Sequence, residues 1–123
     1  MGLDIFFHKV KNTESVNNNE FNEVCYFRKV NFLLPFFNYG ENTSDKEISK
    51  CEVEELISAC EKVLMKRDTN FSAETLPTTS GFFFGSVIYD EHYYYDVASV
   101  LDKMSVLLKE WDDTYKYYMH CWW

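Results

Sequence analysis

Two adjacent carboxylates, Asp90 and Glu91, are the residues whose types and spacing best suit acid–base chemistry in this chain. Such chemistry requires a pocket and two groups with well separated pKa values. The same residue types are favoured at the first turn of a helix, where they compensate the helix dipole, and we favour that structural interpretation. A polar pocket built from them would comprise Arg28, Asn31, Ser80, Asp90 and Glu91.

Arg28 is the cation in this group, on a segment that is otherwise rich in apolar residues. It can reach Asp90 or Glu91 and form a half-buried ion pair, which would explain these charges without catalysis. It can equally hold an anionic ligand. We favour the structural pair and expect no catalytic residue.

The histidines are scattered at His8, His92 and His120, and His120 precedes Cys121. His8 and His120 would meet if the two ends of the chain pair as strands, and with Cys121 they would offer metal ligands. Consecutive strand residues point to opposite faces, so His120 and Cys121 cannot easily bind one ion. We therefore expect neither metal nor cofactor.

The block from Gly81 to Ser86 places three phenylalanines between two glycines. It lacks the lysine of a phosphate-binding loop, and the chain has no nucleophile elbow around Ser80 or Ser86. We expect the glycines to permit positive φ and close backbone approach. The phenylalanines of residues 82–84 should then be pinned inside the fold, against the two longer helices.

Tyrosines and tryptophans cluster around the start of the last predicted helix and after its end, in numbers that a short chain cannot easily bury. Such side chains are common anchors of protein interfaces, although a core with large aromatic residues is an equally good interpretation. The candidates for partner binding are Tyr94, Tyr95, Tyr115, Tyr117, Tyr118, Trp122 and Trp123.

Periodicity predicts the elements that must position these residues. Residues 3–10 read as a strand, 11–20 as a loop in which Asn19 caps the next element, and 20–34 as a helix that Pro35 ends or kinks. Residues 39–45 read as a loop.

The second half of the chain gives the clearest patterns. Residues 50–67 form the clearest helix, with a capping box of Ser49 and Glu52. Residues 68–89 read as irregular, 90–111 as a third helix and 114–122 as a strand. We predict one α+β domain over residues 1–123, with about three helices on a small antiparallel sheet made by the two terminal strands.

Composition limits the classes of partner. The net charge of −8 repels nucleic acids and anionic lipid head groups and favours basic protein surfaces. Cysteines 25, 51, 60 and 121 form no C-x-x-C pair, and we expect reduced thiols with Cys60 in the core. No apolar run is long enough to span a bilayer, and no signal peptide is recognised. These features indicate a soluble cytoplasmic protein.

Several blocks resemble a family of small phage and prophage proteins. The chain begins with Met1-Gly2-Leu3-Asp4, carries Phe27-Arg28-Lys29-Val30-Asn31 and has the Ser-capped helix from Ser49 to Leu64. The most specific block runs from Leu76-Pro77-Thr78 through Ser80-Gly81-Phe82-Phe83-Phe84-Gly85-Ser86 to Tyr89-Asp90-Glu91. The resemblance covers most of the chain and implies a phage or mobile-element origin, but no reaction.

The preferred hypothesis is a non-enzymatic inhibitor that binds a host defence protein in a bacterial cytoplasm. Its most concrete form is an anti-CRISPR protein that blocks the basic, nucleic-acid-handling surface of an RNA-guided nuclease, acting as a monomer or homodimer. One alternative is a small enzyme or ligand binder that uses the polar pocket around Arg28, Asp90 and Glu91. A second alternative is a phage structural or assembly component.

Overall fold

A computed structural model describes residues 2–11, 22–81 and 83–123. The predicted cap at Asn19, most of the predicted loop at 11–20, the first residues of the predicted helix at 20–34, and Phe82 lie outside those residues. The described chain forms four helices and a four-stranded antiparallel sheet. The predicted α+β class is therefore confirmed.

The sheet has the strand order β2-β1-β4-β3. Its strands are β1 (Asp4–Lys11), β2 (Asn22–Arg28), β3 (Asp45–Ile48) and β4 (Tyr115–Trp122). β1 and β4 pair along their whole length, from Asp4 opposite Trp122 to Lys11 opposite Tyr115. The predicted pairing of the first and last segments is confirmed, and it forms the centre of the sheet.

The predicted helix at 20–34 is wrong for all of its described residues except Leu33 and Leu34. Residues Asn22–Arg28 form β2, an edge strand antiparallel to β1, and only Leu33–Phe36 forms a short helix, α1. The register between β1 and β2 shifts so that Phe7 pairs with Cys25 and His8 pairs with Glu23. The extra residue, Val24, forms a bulge, and a bulge interrupts the alternation by which a strand is recognised.

Two long helices supply most of the helical structure. α2 (Lys50–Lys66) begins at Ser49 with the predicted capping box, in which Ser49 Oγ accepts from Glu52 N and the Glu52 side chain accepts from Ser49 N. α4 (Glu91–Lys109) begins at Asp90, whose side chain accepts from the Tyr93 amide. Both helices agree with the predictions, and they pack against each other.

Two short elements were not predicted: α3 lies in a segment predicted as irregular, and β3 overlaps the predicted loop only at Asp45. α3 (Thr69–Thr75) begins at Asp68, whose carboxylate accepts from the Phe71 amide. β3 is a four-residue edge strand with an alternately exposed sequence, Asp-Lys-Glu-Ile. Neither element has an apolar stripe long enough to be recognised by period.

The core lies between the helices and the inner face of the sheet. Alternate residues of β1 and β4, among them Ile5, Phe7 and Met119, are fully buried together with Val53, Leu56, Val97 and Val100 of the helices. Cys60 is also fully buried, as predicted. No helix within the described part of the chain is long and apolar enough to cross a membrane.

The expectation that the triple-phenylalanine block is pinned as a unit is wrong. Phe84 is buried, contacts the Trp123 ring edge-on at 5.4 Å between centroids and belongs to the core. Phe83 instead has φ of +60° and is 49% exposed. The backbone therefore bends at Phe83, so that the Phe84 ring enters the core and the Phe83 ring faces solvent.

Candidate functional site

The face of the sheet that lies opposite the helical core carries polar and aromatic side chains in three rows across the strands. We call it the outer face. The rows follow the strand register: Glu23, His8, Tyr118 and Glu47; then Tyr26, Phe6, His120 and Asp45; then Arg28, Asp4 and Trp122. Cross-strand partners share a face of the sheet, so the register alone brings these side chains together.

The outer face differs from the inner face in chemistry. Ile5, Phe7 and Met119 belong to the core cluster, whereas Phe6, His8 and Tyr118 between and beside them do not. The three rows hold four carboxylates against one guanidinium, that of Arg28. A fourth cross-strand pair on this face, Val10 opposite Lys116, adds one ammonium, so four carboxylates outnumber two cations and the face is acidic, as is the whole chain.

A cleft of about 300 Å³ opens on this face. We call it the histidine cleft, and it is lined by Phe6, His8, Glu23, Asp45 and His120. The Phe6 ring forms its apolar wall, with ring centroids 5.1 Å from Tyr26 and 6.5 Å from His120. The cleft thus combines one aromatic surface with two carboxylates and two imidazoles.

Asp45 is the charged centre of the histidine cleft. Its Oδ1 lies 3.0 Å from His120 Nδ1, at hydrogen-bond distance, and 3.6 Å from His8 Nε2. Both of these contacts are with Oδ1. Among the described residues, no group donates a hydrogen bond to the second oxygen, Asp45 Oδ2. The carboxylate is fixed through one oxygen and presents the second as an acceptor.

His8 is the buried member of the cleft. It is 7% exposed and stacks on the Tyr118 ring at 5.7 Å between centroids. Burial, the largest influence, lowers its pKa; Asp45 raises the pKa and His120 lowers it further. His8 is therefore neutral at neutral pH and adds no positive charge beside the carboxylates of Asp45 and Glu23.

The prediction that His8 and His120 meet is confirmed, since both contact Asp45. Cys121 lies on the opposite face and is fully buried, as alternation along β4 requires. Across residues 2–11, 22–81 and 83–123, no three histidine, cysteine or carboxylate side chains are grouped so that they could hold a metal ion.

The polar pocket predicted around Arg28 is not assembled as expected. Arg28 donates to Asp4 at 3.1 Å, and Asp90 caps α4 rather than closing on Arg28. Ser80 and Glu91 are exposed. The predicted ion pair of Arg28 with Asp90 or Glu91 is replaced by the pair with Asp4. The reason is that residues 22–28 form a strand instead of a helix, and this strand places Arg28 directly opposite Asp4.

Asn31 is the one member of that pocket that is deeply buried, and its role is structural. Its Nδ2 donates to the carbonyls of Phe84 at 3.1 Å and Ser86 at 3.0 Å, while its Oδ1 accepts from the Thr79 amide at 3.1 Å. The cavity beside it is about 30 Å³, on the scale of a single water molecule. Asn31 fastens the glycine-bracketed loop and leaves no room there for a substrate.

The aromatic residues predicted to bind a partner divide by burial. Tyr95 and Trp122 are exposed at 72% and 61%, and Tyr115 and Trp123 are half-buried. Tyr94, Tyr117 and Tyr118 are buried, so the expectation of surface anchors is wrong for them. The prediction fails for Tyr117 because this residue lies on the inner face, where its ring stacks on Trp111 at 3.9 Å between centroids.

The structure also exposes apolar residues that the sequence did not indicate as surface residues. Phe83, Val87 and Ile88 project from the loop that Asn31 holds, and Ile88 is 65% exposed. The members of the histidine cleft were also missed, apart from the two histidines. The predicted pairing of residues 3–10 with 114–122 was the one sequence signal for the cleft, since it brings Phe6, His8 and His120 together. Glu23 and Asp45 could not be added, because Glu23 lay in a predicted helix and Asp45 in a predicted loop.

Comparison of the chain with protein-family models, curated proteins and solved structures finds no match.

Proposed function

We propose that this chain is a non-enzymatic binding protein that covers a basic surface on another protein. The observation that supports the proposal best is the outer face, where four carboxylates and one guanidinium share a sheet surface with the exposed ring of Trp122. Acidic surfaces accelerate association with basic partners, and exposed tryptophans supply binding energy.

In its most concrete form the partner is an RNA-guided nuclease of a bacterial host and the protein acts as an anti-CRISPR inhibitor of mobile-element origin. The basic channel through which such a nuclease holds nucleic acid is complementary to the outer face in charge. Binding there would compete with nucleic acid without any chemistry. The net charge of −8 is consistent with this mode of action.

The test is direct binding of purified protein to purified RNA-guided nucleases, with inhibition of DNA cleavage as the second measurement. We expect binding that weakens as salt rises from low to physiological concentration, because exposed charges are screened. A double variant, Glu47→Lys with Trp122→Ala, should abolish binding. Both residues are exposed, so the fold should tolerate the changes.

The matched control is Glu54→Lys with Tyr95→Ala, which makes the same charge change and also removes an exposed ring, on the helices. This control should bind like the wild type. Failure to bind or inhibit any nuclease tested would reject the anti-CRISPR form of the proposal. Equal loss in both double variants would reject the outer face as the binding surface.

A further inference from the structure

We infer that the histidine cleft is a receptor for a single guanidinium group, supplied by an arginine side chain that the partner inserts between Phe6 and the carboxylates of Asp45 and Glu23. The inference rests on the proposed function, whose partner is basic, and it names the side chain that this partner must present.

The first argument is the arrangement of acceptors. Asp45 is held by His120 through Oδ1 only, so Oδ2 is available to accept from an incoming N–H group. Glu23 is exposed, and its carboxylate makes no hydrogen bond or ion pair with another described residue. Two carboxylates from opposite edges of the sheet, β3 and β2, therefore converge on one cleft.

The second argument is the aromatic wall. Guanidinium groups are planar and weakly hydrated, so they stack on aromatic rings while their edges donate to carboxylates. Phe6 is half-buried and lines the cleft from β1, which neighbours the Glu23-bearing edge strand β2 and is separated by β4 from the Asp45-bearing edge strand β3. A lysine ammonium would gain the charge interaction without the planar stacking, so the cleft should prefer arginine.

The third argument is size and charge. A cleft of about 300 Å³ is on the scale of one long side chain and is small for a folded segment. His8, the most buried member, is neutral at neutral pH because burial lowers its pKa. It therefore does not offset the two carboxylates that would receive the cation.

The experiment uses the full chain, labelled with ¹⁵N, and three small probes observed by NMR. The probes are the Nα-acetyl amides of arginine, lysine and citrulline, the last being a neutral isostere of arginine. We expect the arginine probe to shift amide signals of β1, β3 and β4 around Phe6, Asp45 and His120. The lysine probe should bind more weakly and the citrulline probe should not bind.

Variants test the assignment to the cleft. The double variant Asp45→Asn with Glu23→Gln should weaken arginine binding at least tenfold, and Phe6→Leu should remove the preference for arginine over lysine. The control, Glu54→Gln with Glu61→Gln, makes the same charge change on the exposed surface of α2 and should bind within twofold of the wild type. Dispersed NMR spectra will show that each variant is folded.

Several results would overturn the inference: no shifts with the arginine probe, equal binding of citrulline, or equal losses in the cleft and control variants. The last outcome would mean that only the overall charge attracts the probe. Failure of the inference leaves the proposed function standing if a nuclease still binds the outer face. Conversely, if the protein binds the arginine probe but inhibits no nuclease, the inference about the cleft stands and the proposed anti-CRISPR function is rejected.

Discussion

At the scale of single residues, Asn31 does the most to define the loop that contains the two glycines. It is 3% exposed, and its amide satisfies two carbonyls and one amide of that loop. These bonds hold a segment in which Phe83 has φ of +60°, a costly value for a bulky residue. The local strain is maintained because a buried side chain fixes the backbone on both sides of it.

Replacing Asn31 by alanine should lower the free energy of unfolding by about 2–4 kcal/mol, since the three hydrogen bonds of this buried side chain are lost together. Asn31→Asp should cost at least as much, because an oxygen would then face the carbonyls of Phe84 and Ser86. Urea denaturation measures both. Asn70→Ala, at an exposed position of α3, is the control and should stay within about 0.5 kcal/mol of the wild type. A comparable loss in the control would contradict this role.

Gly85 and Gly40 should respond oppositely to alanine. Gly85 has φ of +90°, and a Cβ there would lie 3.1 Å from Lys29 Cβ, so Gly85→Ala should cost about 1–2 kcal/mol or more. A Cβ on Gly40 meets nothing within 4 Å, so Gly40→Ala should be neutral or slightly stabilising. Thermal unfolding of the two variants tests the difference, and equal transition temperatures would disprove it.

His8 should make the fold sensitive to mild acid. Its pKa in the folded protein is lowered by burial, so the unfolded chain binds more protons between that lowered value and the ordinary 6.5. Stability should therefore fall as pH decreases through this window, despite the favourable contact with Asp45.

The measurement is the free energy of unfolding from urea denaturation, taken between about pH 7 and about pH 5. In His8→Gln the dependence should be flatter than in the wild type. His92→Gln is the matched control, because the His92 side chain is 70% exposed, and it should keep the wild-type slope. An unchanged slope in His8→Gln would show that His8 does not titrate in this window.

At the scale of elements, the edge of β2 that faces away from β1 has no strand partner among the described residues and is contacted by a lysine of α4. Lys103 of α4 donates from Nζ to the Tyr26 carbonyl at 3.0 Å, and the same ammonium lies 4.8 Å from the centroid of the Phe27 ring. An edge strand with unpaired backbone groups invites pairing with another chain, and lysines are a common protection. We interpret Lys103 as the residue that keeps this edge from associating.

Lys103→Met, which keeps the length of the side chain but removes the donor and the charge, should promote association that increases with concentration. Analytical ultracentrifugation measures it. Lys109→Met, at the exposed end of the same helix, should leave the protein in its wild-type state. If both variants behave like the wild type, the edge is protected by something other than this contact.

The elements also show where sequence patterns succeed. α2 and α4 were predicted because each has a cap and a long apolar stripe, and β1 and β4 because of their strand-forming residues. β2 was read as a helix because Val24 and Phe27 have helical spacing, and the bulge at Val24 hides the alternation. α3 and β3 were missed because a seven-residue helix and a charged four-residue edge strand depend on tertiary contacts rather than on periodicity.

At the scale of the whole molecule, the sequence predicted the class and the central strand pair but not the site. His8 and His120 were placed together correctly, since that required only the pairing of β1 and β4. The convergence of Glu23 and Asp45 on them depends on the two edge strands, whose existence was not predicted. Tyr117 and Tyr118 lie on opposite faces of β4 and are both buried, Tyr117 against Trp111 and Tyr118 against His8, so their burial depends on neighbours that the β4 sequence alone does not show.

The position of β4 has a consequence for biosynthesis. β4 lies between β1 and β3, so the sheet is divided until residues 115–122 have been synthesised and have left the ribosome. Until then β3 has no strand partner among the described strands. β1 and β2 form only part of the sheet surface on which α2 and α4 pack. The sheet therefore cannot be completed before residues 115–122 are available, and the rate of folding is governed by closure of the contact between β1 and β4, which lie far apart along the sequence.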